Sequence, residues 1–315
     1  MNGRISYADA LKSLPRTRLL EKVEQGPVRQ TDWPTVELAA EPYLPSEDLV
    51  RVTDLALTLG RPLLLQGEPG CGKTRLAHSV AYALGTPLET AYIKSTSRAQ
   101  DLIYTYDAVR RLYDAQMGPY GPTGGHGESL ARSAANYVGL GPLGRAIARA
   151  QYGRASTVLI DEIDKADLDF PNDLLWELDR MEFEVTEAPE IGYKAGGLRP
   201  LVIITHNEEK PLPPAFLRRC VYYYVEFPQT PSELDAILRL HNLNSPLSGR
   251  AIEIIGKLRA MDLTKQPGLS ELLDWVRYEE YAGTTPSELA MLPDLEAILK
   301  DRGDQQRARK QAPMS

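Results

Sequence analysis

Apolar positions along the chain follow two alternating periods. Ser46-Glu47-Asp48 offers a helix N-cap with an acidic first turn, and Leu49, Val52, Leu55, Ala56 and Leu59 then recur at helical spacing until Gly60. Residues 62–66 form a short unbroken apolar run, the pattern of a buried strand, and residues 75–84 return to helical spacing. Residues 88–93 read as a second strand. Residues 98–116 read as one helical stretch with Leu102, Ile103, Val109 and Leu112 apolar, and 157–160 as a β-branched strand. A helix over 170–181 carries Leu174, Leu175 and Leu178 on one face. Residues 182–185 and 201–205 read as strands, and the loop between them, which contains Ile191-Gly192-Tyr193 and Gly196-Gly197, could close a hairpin. A short helix at 212–220 precedes a last strand, 221–227. Such alternation predicts helices layered on a parallel sheet.

The pattern lapses in three places. Residues 1–41 are polar and broken by Pro15, Pro27 and Pro34, which reads either as an extension lying on the main domain or as a docking arm for a partner. Gly118 to Gly127 is too rich in glycine and proline for regular structure, so it is either a mobile surface insertion or a loop that contacts a substrate or partner. Lys300 to Ser315 reads as a frayed tail.

Chemistry enters between the first strand and its helix. Gly67-Glu68-Pro69-Gly70-Cys71-Gly72-Lys73-Thr74 has the full G-x-x-x-x-G-K-[ST] spacing in a strand–loop–helix context. Its glycines let backbone N–H groups turn inward, where they and the helix N-terminus favour a polyanion. Lys73 would reach the β/γ-phosphates of a nucleotide and the Thr74 hydroxyl would ligate Mg²⁺; with Arg75, residues 67–75 are the candidate nucleotide-binding stretch. Cys71, just before that helix, is either a small residue that merely fits the loop or a thiol that the helix dipole shifts toward thiolate.

A second landmark is the strand that ends in Asp161-Glu162. Asp161 is placed to hold the metal's water shell, and Glu162 to polarise the water that attacks the γ-phosphate. Asn207, at the tip of the 201–205 strand, either hydrogen-bonds that water or the phosphate, or only caps a turn. Arg218 and Arg219 are either surface charges or cations presented to a neighbouring subunit's nucleotide.

Composition narrows the setting. With 315 residues, 43% of them hydrophobic, the chain can bury a large core, in one large domain and a smaller one. A formal net charge of −7 argues against a nucleic-acid face. Two cysteines build no disulfide framework, which favours a reducing compartment. No stretch approaches the roughly 20 apolar residues of a membrane span, and the N-terminus lacks an apolar signal core, so a cytoplasmic location is expected.

Four stretches together resemble the AAA+ ATPases, and within them the MoxR group: Tyr43-Leu44-Pro45; Arg61 to Gly70; Ile160-Asp161-Glu162-Ile163-Asp164-Lys165-Ala166; and Leu212 to Cys220. The resemblance covers about residues 42–300. It implies an α/β nucleotide-binding domain (42–228) whose parallel sheet is ordered 5-1-4-3-2 and sandwiched by helices, with insertions around the second helix and before the Asn207 strand. A C-terminal helical lid (229–300) follows, between the N-terminal extension (1–41) and tail (301–315). It also implies ATP and Mg²⁺ as cofactors and a homo-oligomeric ring, commonly hexameric, with ATP between subunits. Asn207 matches the family's first sensor and Arg219, ahead of Arg218, its arginine finger. Many such lids present an arginine from the start of their third helix. This chain has Gly268 to Trp275 there without one, so Lys265 or Arg277 would have to substitute.

Two functions follow from these residues. One is Mg²⁺-ATP hydrolysis that remodels or activates a partner protein, for which the resemblance implies a von Willebrand factor A domain. The other is an ATP-gated switch or scaffold with slow turnover. Glu162 favours turnover.

Overall fold

The computed structural model describes residues 5–14, 17–20, 36–40, 42–117 and 133–312. The loop from Gly118 to Gly127 lies outside them. By contact the chain divides into two compact units, one of residues 1–40, 47–65 and 77–223, the other of residues 41–46, 66–76 and 224–315.

The first unit is built on five strands, numbered here in chain order: β1 (Leu63–Gln66), β2 (Leu88–Tyr92), β3 (Thr157–Asp161), β4 (Leu201–His206) and β5 (Val221–Tyr224). Their order across the sheet is β5-β1-β4-β3-β2, the order that the family resemblance implies. β3 pairs in parallel with both β4 and β2. Along β5, the Val221 and Val225 N–H groups meet the Pro62 and Gln66 carbonyls, again in parallel. Every residue of β3 and β4 is buried, because flanking helices cover both faces. That is why these strands read as unbroken apolar runs rather than alternating ones.

The pairing register sets Ile204 beside Ile160, so Thr205 and the residues after it come level with Asp161 and Glu162. Leu64, Val158, Ile160, Val202 and Ile204 face a core closed by Leu143 and Ile147 of the helix Pro142–Gln151 and by Phe170, Leu174 and Leu178.

Two strand pairs interrupt the α/β alternation, where the resemblance implies insertions. Glu182–Val185 pairs antiparallel with Ala188–Lys194, so the segment with Ile191-Gly192-Tyr193, read from sequence as a loop, is itself a strand. The other pair corrects the sequence reading. Residues 98–116 are not one helix: a single turn, Ala99–Ile103, gives way to the strand Tyr104–Tyr106, and a new helix runs from Ala108 to Met117. The β-prone Tyr104-Thr105-Tyr106 pairs antiparallel with Val138–Leu140. Of the apolar positions named in that stretch, Leu102 and Ile103 are buried, while Val109 and Leu112 are left exposed on the second helix.

Helix Pro142–Gln151 follows immediately, and it approaches the Ala99–Ile103 turn so closely that a Cβ at Gly144 would lie 1.9 Å from the Ile103 carbonyl oxygen. Only glycine fits this contact.

Part of the N-terminal extension is ordered against the same unit. Ser6 caps the helix Tyr7–Leu11, the N–H groups of Tyr7 and Ala8 meet the Asp54 carboxylate, and the fully buried Tyr7 shares a 2.8 Å hydrogen bond with the Ser79 hydroxyl.

The second unit is helical. Pro231–Leu240, Pro246–Ala260 and Leu269–Ala282 enclose Leu238, Ala251, Ile255, Leu272 and Trp275, and the Trp275 indole N–H donates to the Pro293 carbonyl. Residues 66–76, which contain the candidate phosphate-binding loop 67–74, belong to this unit.

The expected frayed tail is instead ordered: Arg302–Lys310 is a helix capped by Asp301, with Asp304 and Ala308 fully buried. Its polar composition hides the reason. Burial alone would raise the Asp304 pKa, but the N–H groups of Thr264 and Lys265 and the Arg307 guanidinium outweigh it and hold the carboxyl below its ordinary value.

The Gly144 contact makes a sharp test of this packing. Gly144→Ala should destabilise the protein by about 3 kcal/mol or more, beyond the few tenths expected from helix propensity and in the opposite direction, since backbone must move to admit the methyl group. Urea unfolding of both proteins checks it.

Candidate active site

Within the second unit, the loop 67–74 closes on itself through Lys73. The buried ammonium donates to the carbonyls of Gly67 (2.6 Å) and Glu68 (2.8 Å) and lies 3.8 Å from the Cys71 sulfur. Gly67, Gly70 and Gly72 all carry positive φ, and at Gly67 a Cβ would also sit 2.4 Å from the Val225 carbonyl oxygen. Helix Lys73–Leu84 begins directly at the end of the loop, and its first N–H groups belong to Lys73, Thr74 and Arg75, the last of which is exposed.

The helical part of this unit grips the loop. Arg259, in the last turn of Pro246–Ala260, forms a 3.0 Å ion pair with Glu68, lies 4.0 Å over the Phe227 ring and donates to the Pro267 carbonyl. Nearby, the Ser270 hydroxyl and backbone N–H both donate to the Gly70 carbonyl. Of the cations proposed to stand in for a lid arginine, Lys265 gives its backbone N–H to Asp304 and Arg277 pairs with exposed Asp274. Arg259 is the cation that reaches the loop itself, through Glu68. Sequence reasoning passed over it because a basic residue in a helix's last turn ordinarily only offsets the helix dipole.

In the first unit, the tips of β3 and β4 assemble four candidate groups. Thr205 donates its hydroxyl proton to Asp161 Oδ1 and accepts the Glu162 N–H, both at 2.7 Å. Glu162 takes a left-handed conformation, φ 58°, ψ 55°, which costs a non-glycine residue about 1–3 kcal/mol and persists only where neighbours enforce it. Here the enforcers are Thr205 at its backbone and Asn207 at its side chain, whose Nδ2 donates to Glu162 Oε1 at 3.0 Å. Asp161 is buried and Glu162 exposed. The structure thus brings Asn207 and Glu162 together. Thr205 was not singled out from sequence, and only the register of β4 against β3 reveals it.

Arg218 and Arg219 differ although they are adjacent. Arg218 is exposed, whereas Arg219 is half-buried, its Nε on Asp179 at 2.5 Å and its Nη1 on the Ala215 carbonyl.

The AAA domain (dynein-related subfamily) matches residues 62–220, half of the chain. The chain belongs to this AAA family. It is therefore an ATPase, and its sheet order and nucleotide-binding loop are those of an AAA domain. Among relatives, Protein NorQ of Paracoccus denitrificans (strain Pd 1222) is 26% identical over 231 residues, which cover 70% of this chain and 72% of that protein. Among solved structures, a provisionally described ATPase from Cytophaga hutchinsonii ATCC 33406 aligns with TM-score 0.38 at 16% identity, over 67% of this chain. This chain spans only 62% of that one's length.

Cys71 corrects an expectation. Burial pushes its pKa above the ordinary thiol value, and this outweighs the opposing pull of Lys73 and of the backbone N–H groups of Lys73 and Cys71. Burial likewise raises Cys220, to about 12. The AAA protein should therefore react with iodoacetamide at pH 7.5 far more slowly than a free thiol, and its rate should climb only as the pH passes above the ordinary thiol range. Mass spectrometry of labelled native and urea-unfolded protein reads both sites, and rapid native labelling of Cys71 at pH 7.5 would contradict the burial argument.

Proposed function

We propose that this ATPase hydrolyses Mg²⁺-ATP within a homo-oligomeric, ring-like assembly and uses the cycle to remodel or activate a partner protein. The observation that carries the hydrolytic half of the reading is the Glu162–Asn207 hydrogen bond, buttressed by Thr205. A carboxylate held in a strained backbone conformation and aimed by a neighbouring amide suits a group that must meet one water in one orientation. In the step proposed, Glu162 accepts a proton from the attacking water as its oxygen bonds to the γ-phosphorus. The bond to the β,γ-bridging oxygen breaks, and ADP leaves with that electron pair.

The phosphate-loop glycines, with Glu68, Pro69 and Cys71, shape the backbone around the phosphates, and Lys73 supplies their counter-charge. The donor chemistry suits Mg²⁺: the Thr74 hydroxyl and the buried Asp161 carboxylate are hard oxygen groups, too few to cage an ion alone and typical of sites completed by substrate phosphates and water. Bound there, the ion would neutralise charge developing on the phosphate oxygens.

Roles separate in mutants. Glu162→Gln should keep nucleotide affinity within a few-fold and lower turnover by roughly 10²-fold or more, the scale for removing a positioned base. Lys73→Ala should weaken nucleotide binding itself. Fluorescent-nucleotide titration beside phosphate release measures both, and equal loss of affinity in the two variants would refute the division of labour.

The assembly rests on Arg219. Its guanidinium is held on Asp179 just past a short helix, and delivery to a neighbour's γ-phosphate in the proposed ring would exchange that pairing for the phosphate. Arginine fingers elsewhere contribute about 10³–10⁵ in rate. Arg219→Ala should bind ATP and hydrolyse it poorly. Mixed with Lys73→Ala, it should regain activity through interfaces that pair one intact loop with one intact arginine. Mixed rings, verified by light scattering, that stay as inactive as either parent would remove Arg219 from this role and turn attention to Arg218.

The remodelling role draws on the MoxR resemblance and on the likeness to NorQ. A partner with a von Willebrand factor A domain is the candidate client.

A further inference from the structure

We infer that Asp164 is a positioning residue for hydrolysis, fixing the Asn207 amide on Glu162 by gripping the backbone of the turn that carries it. The inference rests on the hydrolytic reading of Glu162 and Asn207 given above. Asp164 lies in the short turn Ile163–Lys165 beyond β3, its side chain fully buried. One of its oxygens, Oδ2, accepts the backbone N–H of Asn207 and that of Glu209, each at 3.0 Å. The other, Oδ1, is buried without a hydrogen-bond partner.

A carboxylate is costly to bury unless donors compensate it, and its compensation here comes from the segment 207–209. The result is a closed ring. From Glu162 the chain runs through Ile163 to Asp164, crosses to the Asn207 N–H, and returns from the Asn207 side chain to Glu162 Oε1. Asn207 cannot shift against Glu162 without breaking one of these bonds.

Neighbouring contacts close the same two tips together. Lys210 donates to the Ala166 carbonyl at 2.6 Å, and Lys165 pairs with Glu209. His206, also buried, places Nε2 2.8 Å from the Lys210 carbonyl and 3.9 Å from Asp164 Oδ2. These contacts hold the turn 206–210 as a whole. Asp164 alone reaches the backbone of the residue whose side chain touches Glu162, so its loss should move the Asn207 amide while leaving the loop residues 67–74 their own contacts.

The test compares Asp164→Ala, Asp164→Asn, Asn207→Ala and the double variant Asp164→Ala/Asn207→Ala by kcat, KM for ATP and ADP affinity, with thermal melting as the check on folding. Asp164→Asn keeps an acceptor oxygen with two lone pairs, enough for both N–H groups, and should stay within about three-fold of the parent in kcat. Asp164→Ala should lose about 10- to 100-fold in kcat, the scale of a misplaced catalytic group, with KM and ADP affinity within a few-fold. The double variant should be no slower than Asn207→Ala, because both changes undo one arrangement.

If Asp164→Ala does not fold, Asp164→Ser takes its place. Its hydroxyl is too short to serve both N–H groups and should give an intermediate loss that Asn does not. The inference is overturned if Asn207→Ala is slow while Asp164→Ala or Asp164→Ser turns over as the parent, or if the two losses multiply in the double variant. An Asn207→Ala enzyme with parental kcat would instead remove the hydrolytic reading, and this inference with it.

Discussion

One hydroxyl group carries more of the candidate chemistry than its size suggests. Thr205 has one proton to give and lone pairs to accept with, and it gives to Asp161 while accepting from the Glu162 backbone. The two consecutive carboxylates therefore diverge: the first is drawn inward and buried, and the second is turned outward by a left-handed residue that the bond from its own N–H helps to hold. Without that divergence the two like charges would stand side by side and repel each other. A threonine can do this only from the strand alongside, in the correct register. The parallel pairing of β3 with β4 is thus the constraint on which the site depends.

The same register explains why further groups converge on this edge. Beyond Thr205 the chain presents His206 and Asn207 to the turn after β3, where Glu162 and Asp164 receive Asn207 through its side chain and backbone respectively. Parallel sheets offer this as a rule, because strands run the same way and their C-terminal ends share one edge. Here several bonds between the two tips hold the residues beyond both strands in a fixed arrangement.

In the other unit, organisation comes from a different force. The loop 67–74 needs its backbone exposed to a polyanion, so few side chains of its own can brace it. Bracing is supplied from outside, by Arg259 on Glu68 and by Ser270 on the Gly70 carbonyl. Arg259 itself lies 4.0 Å over the Phe227 ring, while its forked donors reach Glu68 and the Pro267 carbonyl, a set of contacts that a lysine would not reproduce. The nucleotide-binding loop is in this way mechanically part of the helices that follow in sequence some two hundred residues later.

Sequence by itself determined the five strands of the central sheet, their order through the family resemblance, the candidate phosphate-binding loop and the Asp161-Glu162 pair, because each leaves a local signature: an unbroken apolar run, a fixed glycine spacing, carboxylates at a strand end. Contacts between distant segments left none. The helix expected over 98–116 broke because Tyr104–Tyr106 found a partner strand more than thirty residues away. The polar end of the chain became a helix because Asp304 met two backbone N–H groups near residue 264. Cys71 sits at a helix start, yet burial outweighs that position and raises its pKa. Thr205, Asp164 and Arg259 are ordinary residues in the sequence, and only tertiary structure gives them tasks, since a hydrogen bond or ion pair takes its meaning from what stands opposite.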